Sequence, residues 1–410
     1  MGEGRDGKRA LIIGGSMAGL LSALLLRRVG WRVDVFERST DDLASRGAGI
    51  ATHPELQEIL AAAGADAGDA LGVKISGRAT FQRDGSVVGT HALPQVMTSW
   101  DLLYKLLLAP LPDELYHVGV PLERVERDAD GVTAHFANGR TERGDILVAA
   151  DGVRSTVRGQ FLPELRPTYA GYVAWRGMAP EAALSEATRE ALGDRLCFAL
   201  PPNEQFLTYP VAGENETLEP GRRRRNWVWY RAARSDSEQA ALMTGTDGRR
   251  HEVSVSPDQM NPEAIAAMRR AADDNLPPQL IDLIDGTEKP FLQAIFDLES
   301  PEVVFGRVAV IGDAAFVARP HTGMGVTKAA VDAMALAKGL EAAGGDIDAG
   351  LAAFRETCMR YGKAAVERGR TLGRILVADR DRADSDAFGL ERGVPKAVMV
   401  ETAVPGDLSP

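Results

Sequence analysis

The strongest constraint on this chain is a short apolar run that stops on glycines. Arg9-Ala-Leu-Ile-Ile13 leads into Gly14-Gly-Ser-Met-Ala-Gly19 and then into the apolar stretch Leu20 to Val29. Such a run ended by glycine reads as a strand and tight turn, and the stretch after it as a helix. Gly30 stops that helix, and Trp31-Arg-Val-Asp-Val-Phe36 alternates as a second strand ending at Glu37-Arg38. The whole is a strand–helix–strand unit closed within about thirty residues, the length a parallel crossover requires. The turn departs from Gly-x-Gly-x-x-Gly. Gly14 and Gly19 hold the outer positions, Ser16 takes the middle one and Gly15 adds freedom between them. Free N–H groups over Gly14, Gly15, Ser16, Met17, Ala18 and Gly19 at a helix start suit a pyrophosphate. Glu37, with Arg38 beside it, sits where a carboxylate accepts hydrogen bonds from a ribose diol. The order predicts dinucleotide binding, against the plainer alternative of an unoccupied structural turn.

Two further turns follow apolar strands. Asp145-Ile-Leu-Val-Ala-Ala150 is a near-continuous apolar run of the kind buried on both faces, and Asp151-Gly152 follows it. On its own this is an ordinary strand end with a capped helix. Val303 to Ile311 reads as another buried strand, followed by Gly312-Asp313, then Arg319-Pro-His-Thr-Gly-Met-Gly325 and a helix over Val326 to Leu340. There a carboxylate can hold ribityl or ribose hydroxyls, and the amides of Gly325 and Val326 can face an electron-rich ring at a helix N-terminus.

Between these turns the pattern changes. Gly72 to Val96 reads as short strands with an Asp84-Gly85 hairpin, Trp100 to Leu108 as an apolar helix, and Val118 to Phe136 as part of a meander with turns at Asp130-Gly131 and Asn138-Gly139. From Tyr169 to about Pro290, strands at Arg195 to Leu200, Gln205 to Val211 and Asn226 to Arg231 form a separate sheet-bearing region. The expected fold class is α/β, a Rossmann-like unit interrupted and resumed.

Composition narrows the function classes. A formal charge of −11 over 410 residues leaves no global basic field for a phosphate backbone, so nucleic acid is not an expected partner. Two cysteines cannot make a disulfide framework, and no Cys/His cluster has metal-ligand spacing; a reducing cytoplasm is the expected setting. The apolar stretch Leu20 to Leu26 falls well short of the roughly twenty residues a membrane span requires.

The three turns in this order resemble the single-component FAD-dependent aromatic hydroxylases, the family that includes p-hydroxybenzoate hydroxylase. Tyr169-Ala-Gly-Tyr-Val-Ala-Trp-Arg-Gly177, with Gly14-Gly-Ser16 and Arg319-Pro-His321, is similar to its 2,6-dihydroxypyridine 3-monooxygenase branch. The resemblance implies a discontinuous FAD domain over 1–71, 98–168 and 291–377, a β-sheet substrate domain over 72–97 and 169–290, and a C-terminal extension over 378–410. It implies FAD, NADH or NADPH, and O₂ acting through a flavin C4a-hydroperoxide on a hydroxypyridine or phenol. A homodimer is compatible with it. Alternatives are a flavoprotein oxidase or halogenase, or a flavin-binding protein without turnover. By the same resemblance the first turn binds the ADP pyrophosphate, Asp151 lies near FAD and the nicotinamide, and Gly312-Asp313 holds the ribityl chain. Arg46, Gly47, Pro320, Gly323, Gly325, Val326 and Thr327 complete the flavin surroundings. Two positions depart from the family pattern: Trp100 stands where an Arg near the FAD phosphates is common, and Thr327 stands in place of an Asn.

Electrophilic hydroxylation runs faster on a ring anion than on the neutral ring, so proton-handling groups are sought. Tyr209, in Leu207-Thr-Tyr-Pro210, is a candidate to orient the ring or relay a proton, or else a core aromatic. His321 beside the flavin turn and His53 before Pro54 are the other catalytic candidates; the first can equally cap its loop and the second can simply precede a helix. Arg46 and Arg176 are candidates for anionic groups, or for ion pairs. Trp227-Val-Trp229-Tyr230 invites comparison with halogenases but lacks their following Ile-Pro and reads as a substrate-domain strand. Arg222 to Arg225 reads as a solvated hairpin loop, and Cys197 and Cys358 as buried packing thiols.

Overall fold

A computed structural model describes residues 7–40 and 48–378. Arg46, Gly47 and the extension from 379 onward lie outside the described residues. The fold is α/β. Arg9–Ile13 is the hub of a six-stranded sheet, paired in parallel with Arg32–Phe36 on one side and Ile146–Ala149 on the other. Ile146–Ala149 pairs in parallel with Val308–Val310. The three strands that precede the three turns are therefore adjacent and point the same way, so the turns leave one edge of one sheet, as ligand-binding crevices of such sheets do. Helix Met17–Arg28 covers one face and packs on helix Gly325–Ala342, which in turn packs on the long helix Ile347–Gly373. Ile146–Ala149 is buried throughout, which explains its unbroken apolar sequence.

One expected strand is two. Val303 to Ile311 breaks at Gly306, whose φ of +60° reverses the chain, and Val304–Phe305 pairs antiparallel with Val308–Val310. The first helix begins at Met17 rather than Leu20 and takes in Gly19, where a Cβ would strike the carbonyl of Gly14.

The second sheet is mostly antiparallel. Its path runs Ser254–Val255, Phe291–Glu299, Thr168–Pro180, Arg224–Ala232, Gln205–Val211, Arg195–Ala199, Val73–Phe81, Val87–Ser99 and Gly49–Ala51, with Phe316–Val317 joined to Phe291–Glu299. Period-two alternation gives it two faces. Val173, Trp175, Trp227 and Trp229 pack with Met268, Leu280 and Leu283 from helices Pro262–Asn275 and Pro278–Asp285. Tyr172, Ala174, Tyr209, Val228 and Tyr230 form a separate cluster on the other face.

The arginine run is not a solvated loop. It enters strand Arg224–Ala232, so alternate residues turn inward, and Arg223 and Arg225 are buried. Arg223 pairs with Glu181 at 3.1 Å and Asp194 at 2.7 Å, while Arg225 donates to the carbonyls of Gly193 and Arg195. Of the four, Arg222 alone is exposed. Among the described residues no helix is long and apolar enough to cross a membrane.

Candidate active site

The first turn is held by contacts that leave no room for side chains. Gly14 has φ +105°, and a Cβ there would run into the carbonyl of Ala150, the residue before Asp151. The space beside Gly15 is filled by the Tyr116 ring, whose hydroxyl donates to the Gly15 carbonyl at 2.9 Å and meets the Tyr104 hydroxyl at 3.1 Å. Glu37 is buried and accepts from the N–H of Gly15 at 2.8 Å and of Ser39 at 2.9 Å, while Arg38 is exposed. Ser16 is the N-cap of helix Met17–Arg28, yet no side chain caps that helix start, so its first amides are available at the positive end of the helix dipole. Trp100, at the departing position, stacks on Tyr104 at 5.0 Å.

Asp151 takes the capping role that its sequence alone suggested. One carboxylate oxygen accepts from Thr156 and Val157 at the start of the short helix Thr156–Phe161; the other is buried with no partner, and burial raises its pKa. Gly312, with φ +61°, lies against Ala18 of the first helix, which brings the third turn onto the first. Its N–H donates to Asp332 at 3.0 Å. Asp332 pairs with Lys328 at 3.5 Å, both almost wholly buried beneath the turn. This pair was missed in the sequence; its signal was the i, i+4 spacing of opposite charges inside an otherwise apolar helix. Asp313 is exposed on the lining of the cleft, where desolvation by the surrounding protein raises its pKa while Lys328 opposes the rise.

A cavity of about 310 Å³ joins this edge to the second sheet. From the turns it is lined by Asp313, Pro320, His321, Gly323, Gly325 and Val326, and from the sheet by Arg78, Arg176, Tyr209, Tyr230 and Gln293. Met324 begins helix Gly325–Ala342 without a side-chain cap, and the Cβ direction of Gly325 is open space. His53, also on the lining, meets the Thr327 hydroxyl at 3.0 Å, and burial lowers its pKa.

His321 is gripped at both ring nitrogens. The Tyr172 hydroxyl lies 2.7 Å from Nε2 and the Gln205 carbonyl oxygen 2.7 Å from Nδ1, so Nδ1 carries the proton and donates, and Nε2 accepts from tyrosine. Burial, with Arg319 nearby, pushes its pKa down to about 3. It is a neutral imidazole locked in one tautomer. Burial raises the Tyr209 and Tyr230 hydroxyls, the latter to about 12, against the charge of Arg176, so both are proton donors at neutral pH. In the sequence Tyr172 figured only within the Tyr169 to Gly177 stretch and Gln205 only as the start of a strand, neither as a site residue, and period-two alternation alone did not say which face of Trp227–Tyr230 was the wet one. The two tryptophans point away, donating to Thr287 and Glu204 at 2.8 Å each.

Comparison with known proteins gives the family and the fold. The FAD binding domain-like family matches residues 169–297. The chain is 32% identical to 2,6-dihydroxypyridine 3-monooxygenase of Paenarthrobacter nicotinovorans over 331 residues, 80% of this chain and 82% of that one. It is 28% identical to 6-hydroxynicotinate 3-monooxygenase of Pseudomonas fluorescens, over 82% of this chain and 83% of that one. The solved structure of 2,6-dihydroxypyridine-3-hydroxylase from Arthrobacter nicotinovorans superimposes with a TM-score of 0.85 at 29% identity, covering 90% of this chain and 92% of that one. A Klebsiella pneumoniae protein complexed with FAD and uric acid shares the fold, with a TM-score of 0.79 at 23% identity over 98% of each chain.

Proposed function

This chain belongs to the FAD-dependent aromatic monooxygenases, and we propose that within that family it hydroxylates a small ring already bearing a hydroxyl, a hydroxypyridine or a phenol. The observation that carries the reading is a cavity that touches both the Gly312–Gly325 turn region and the hydroxyl-bearing face of the second sheet.

The residues present fit FAD. The backbone at Gly14 and Gly15 approaches Ala150 and Tyr116 as only glycine permits, helices Met17–Arg28 and Gly325–Ala342 start without side-chain caps, and one oxygen of Asp151 is a buried acceptor with no partner. In our reading Gly14 to Gly19 and Glu37 hold the ADP half, Asp313 the ribityl chain, and Gly323 to Thr327 the ring system. Bound flavin supplies electron transfer from NADH or NADPH and, with O₂, the oxygen atom that enters the substrate. The chain supplies the rest. Tyr209 and Tyr230 present neutral O–H donors that orient the ring, while the locked His321 braces the Tyr172 side of the cavity without titrating near neutrality. The antiparallel sheet, closed over the cleft, excludes water and so limits wasteful loss of oxidant.

We assign 1–71, 98–168 and 291–377 to the cofactor unit and 72–97 with 169–290 to the covering unit. Strand Phe291–Glu299 is shared, since it pairs with Thr168–Pro180 from Phe291 as far as Asp297 and its last two residues pair with Phe316–Val317. The two buried free thiols suit a reducing cytoplasm. A panel of hydroxypyridines and phenols scored for stimulated NAD(P)H oxidation tests the function. Product formed under ¹⁸O₂ carries one labelled oxygen; unlabelled product rules the oxygenase reading out.

A further inference from the structure

We propose that the ring substrate reaches the cavity from an outer chamber beside the second turn, through a window in the antiparallel sheet; this rests on the hydroxylating role given above. A second cavity of about 450 Å³ lies against the first, and Val153, Val253 and Phe296 line both. All three are half-buried, as a partition between two hollows is. The sheet is least regular at this partition. Along one edge of strand Phe291–Glu299, Leu292 and Gln293 pair with Ser254–Val255, the Ala294 N–H donates to the Val253 carbonyl at 2.9 Å, and strand pairing resumes at Leu298 with Val317. Among the described residues no strand pairs with that edge at Ile295, Phe296 and Asp297. Along the other edge the register shifts, so that Ala170, Gly171 and Tyr172 all lie opposite Ile295, with Gly171 at φ +85°. Such bulges interrupt a ladder and recur beside active sites. Both edges of the strand are thus irregular at one place, and that place is the wall between the cavities.

The chemistry of the wall says what passes. On the inner side the window opens among Ala294, Ile295, Val317 and Ala318. With Val153 and Val253 these make an apolar passage, which admits a small flat ring and rejects a dinucleotide with its charged phosphates. Outside, the chamber carries Arg154 and Arg166, both exposed, with Glu252 3.9 Å from Arg154. Guanidinium planes stack on aromatic faces, and a local excess of positive charge raises the encounter rate of an acidic ring. Arg158 has a different part. It is buried and donates to the carbonyls of Ala314 at 2.8 Å and Val153 at 2.6 Å, which fixes one side of the window to the third turn. The inner cavity needs such a route. Gly323 to Thr327 on its turn side are assigned above to the flavin ring system, and its far wall is the unbroken pairing of Gln205–Val211 with Arg224–Ala232.

The test uses the FAD-loaded, oxidised full chain with two rings, 4-nitrophenol and the compound that most stimulates NAD(P)H oxidation; stopped-flow absorbance of ring or flavin follows binding. A residue on a path changes the barrier and not the end states, so Val253→Trp should slow binding and release together, each by about tenfold or more, with Kd held within about threefold and flavin content unchanged. Val153→Phe, on the facing side of the window, gives the same result where Val253→Trp yields no folded protein. The exposed pair Arg154→Gln and Arg166→Gln, combined, flattens the fall with salt of the rate at which the 4-nitrophenol anion binds. Ring rates that do not change in either window variant, or a Kd that weakens with the binding rate intact, overturn the inference and leave the hydroxylase reading standing. So does a change confined to the concentration dependence of flavin reduction by NAD(P)H, which would give the chamber to the nicotinamide cofactor. If no ring binds or stimulates NAD(P)H oxidation, both readings fall.

Discussion

At the carboxyl edge of the parallel sheet the site is made of main chain, whereas across the cleft the antiparallel sheet contributes side chains. In the first region Gly14, Gly15, Gly19 and Gly312 matter because backbone or another element occupies the space a Cβ needs, and the ligand-facing groups are amides at helix starts. In the second, Arg176, Tyr209 and Tyr230 come from three strands and are brought together by register: Arg176 opposite Val228, and Tyr209 opposite Asn226. The difference teaches why one flavin frame can serve many substrates. Main-chain sites tolerate little change, while an inward-facing side chain on a strand can be exchanged without moving the strand.

Breaking the support under the third turn has the largest expected effect. Asp332→Ala leaves Lys328 buried without its partner and removes the acceptor of the Gly312 N–H, so urea unfolding should show a loss of ~3–5 kcal/mol together with lower flavin content. Next is Gly14→Ala, which forces a side chain into positive φ and against the Ala150 carbonyl; a loss of about 3 kcal/mol and of bound FAD is expected. Tyr209→Phe sharpens the contrast from the other side. It should lower kcat/KM by about tenfold or more, with flavin content unchanged. A loss of flavin matching that of Gly14→Ala would mean that the two regions are not separable in this way.

The first region was legible because its constraints are local: strand, glycine turn and helix follow one another within a few residues, and the three turns keep their order along the chain. Even there the Lys328–Asp332 pair went unread, since two charges in an apolar helix do not announce that they face a turn. The cavity was legible only in pieces. Tyr209 and His321 stood out by type, but the hydroxyl and amide that grip His321 lie 149 and 116 residues from it in sequence, and only the sheet's strand order joins them. Val303 to Ile311 read as one strand because its apolar residues mask the left-handed turn at Gly306.

His321 gives a smaller, pH-dependent effect. Its folded pKa of about 3 lies below the ordinary histidine value, near 6.5, so above pH ~6.5 neither state binds the proton and the residue adds no pH dependence. Below that, the unfolded chain takes up a proton that the native imidazole refuses, and stability falls by about 1.4 kcal/mol per pH unit toward pH ~3. Unfolding measured at pH 7 and pH 5 should show the wild type losing more stability than His321→Gln. Equal losses would mean that the imidazole is already protonated in the native protein, which the acceptor role of Nε2 forbids.

The smallest effect is expected at Arg222, the first member of the arginine run. Its ion pair with Glu219 at 2.7 Å joins side chains 73% and 64% exposed, so solvent and salt screen it. Arg222→Ala should change stability by under ~0.5 kcal/mol and leave flavin content and turnover untouched. One residue on, Arg223 turns into the sheet between Glu181 and Asp194, where the same substitution would strand a buried carboxylate. Thermal unfolding of the two variants side by side measures what strand alternation does to identical neighbours. Comparable losses at both positions would show that the run does not alternate, and would undo the register that also carries Tyr230 to the cavity face.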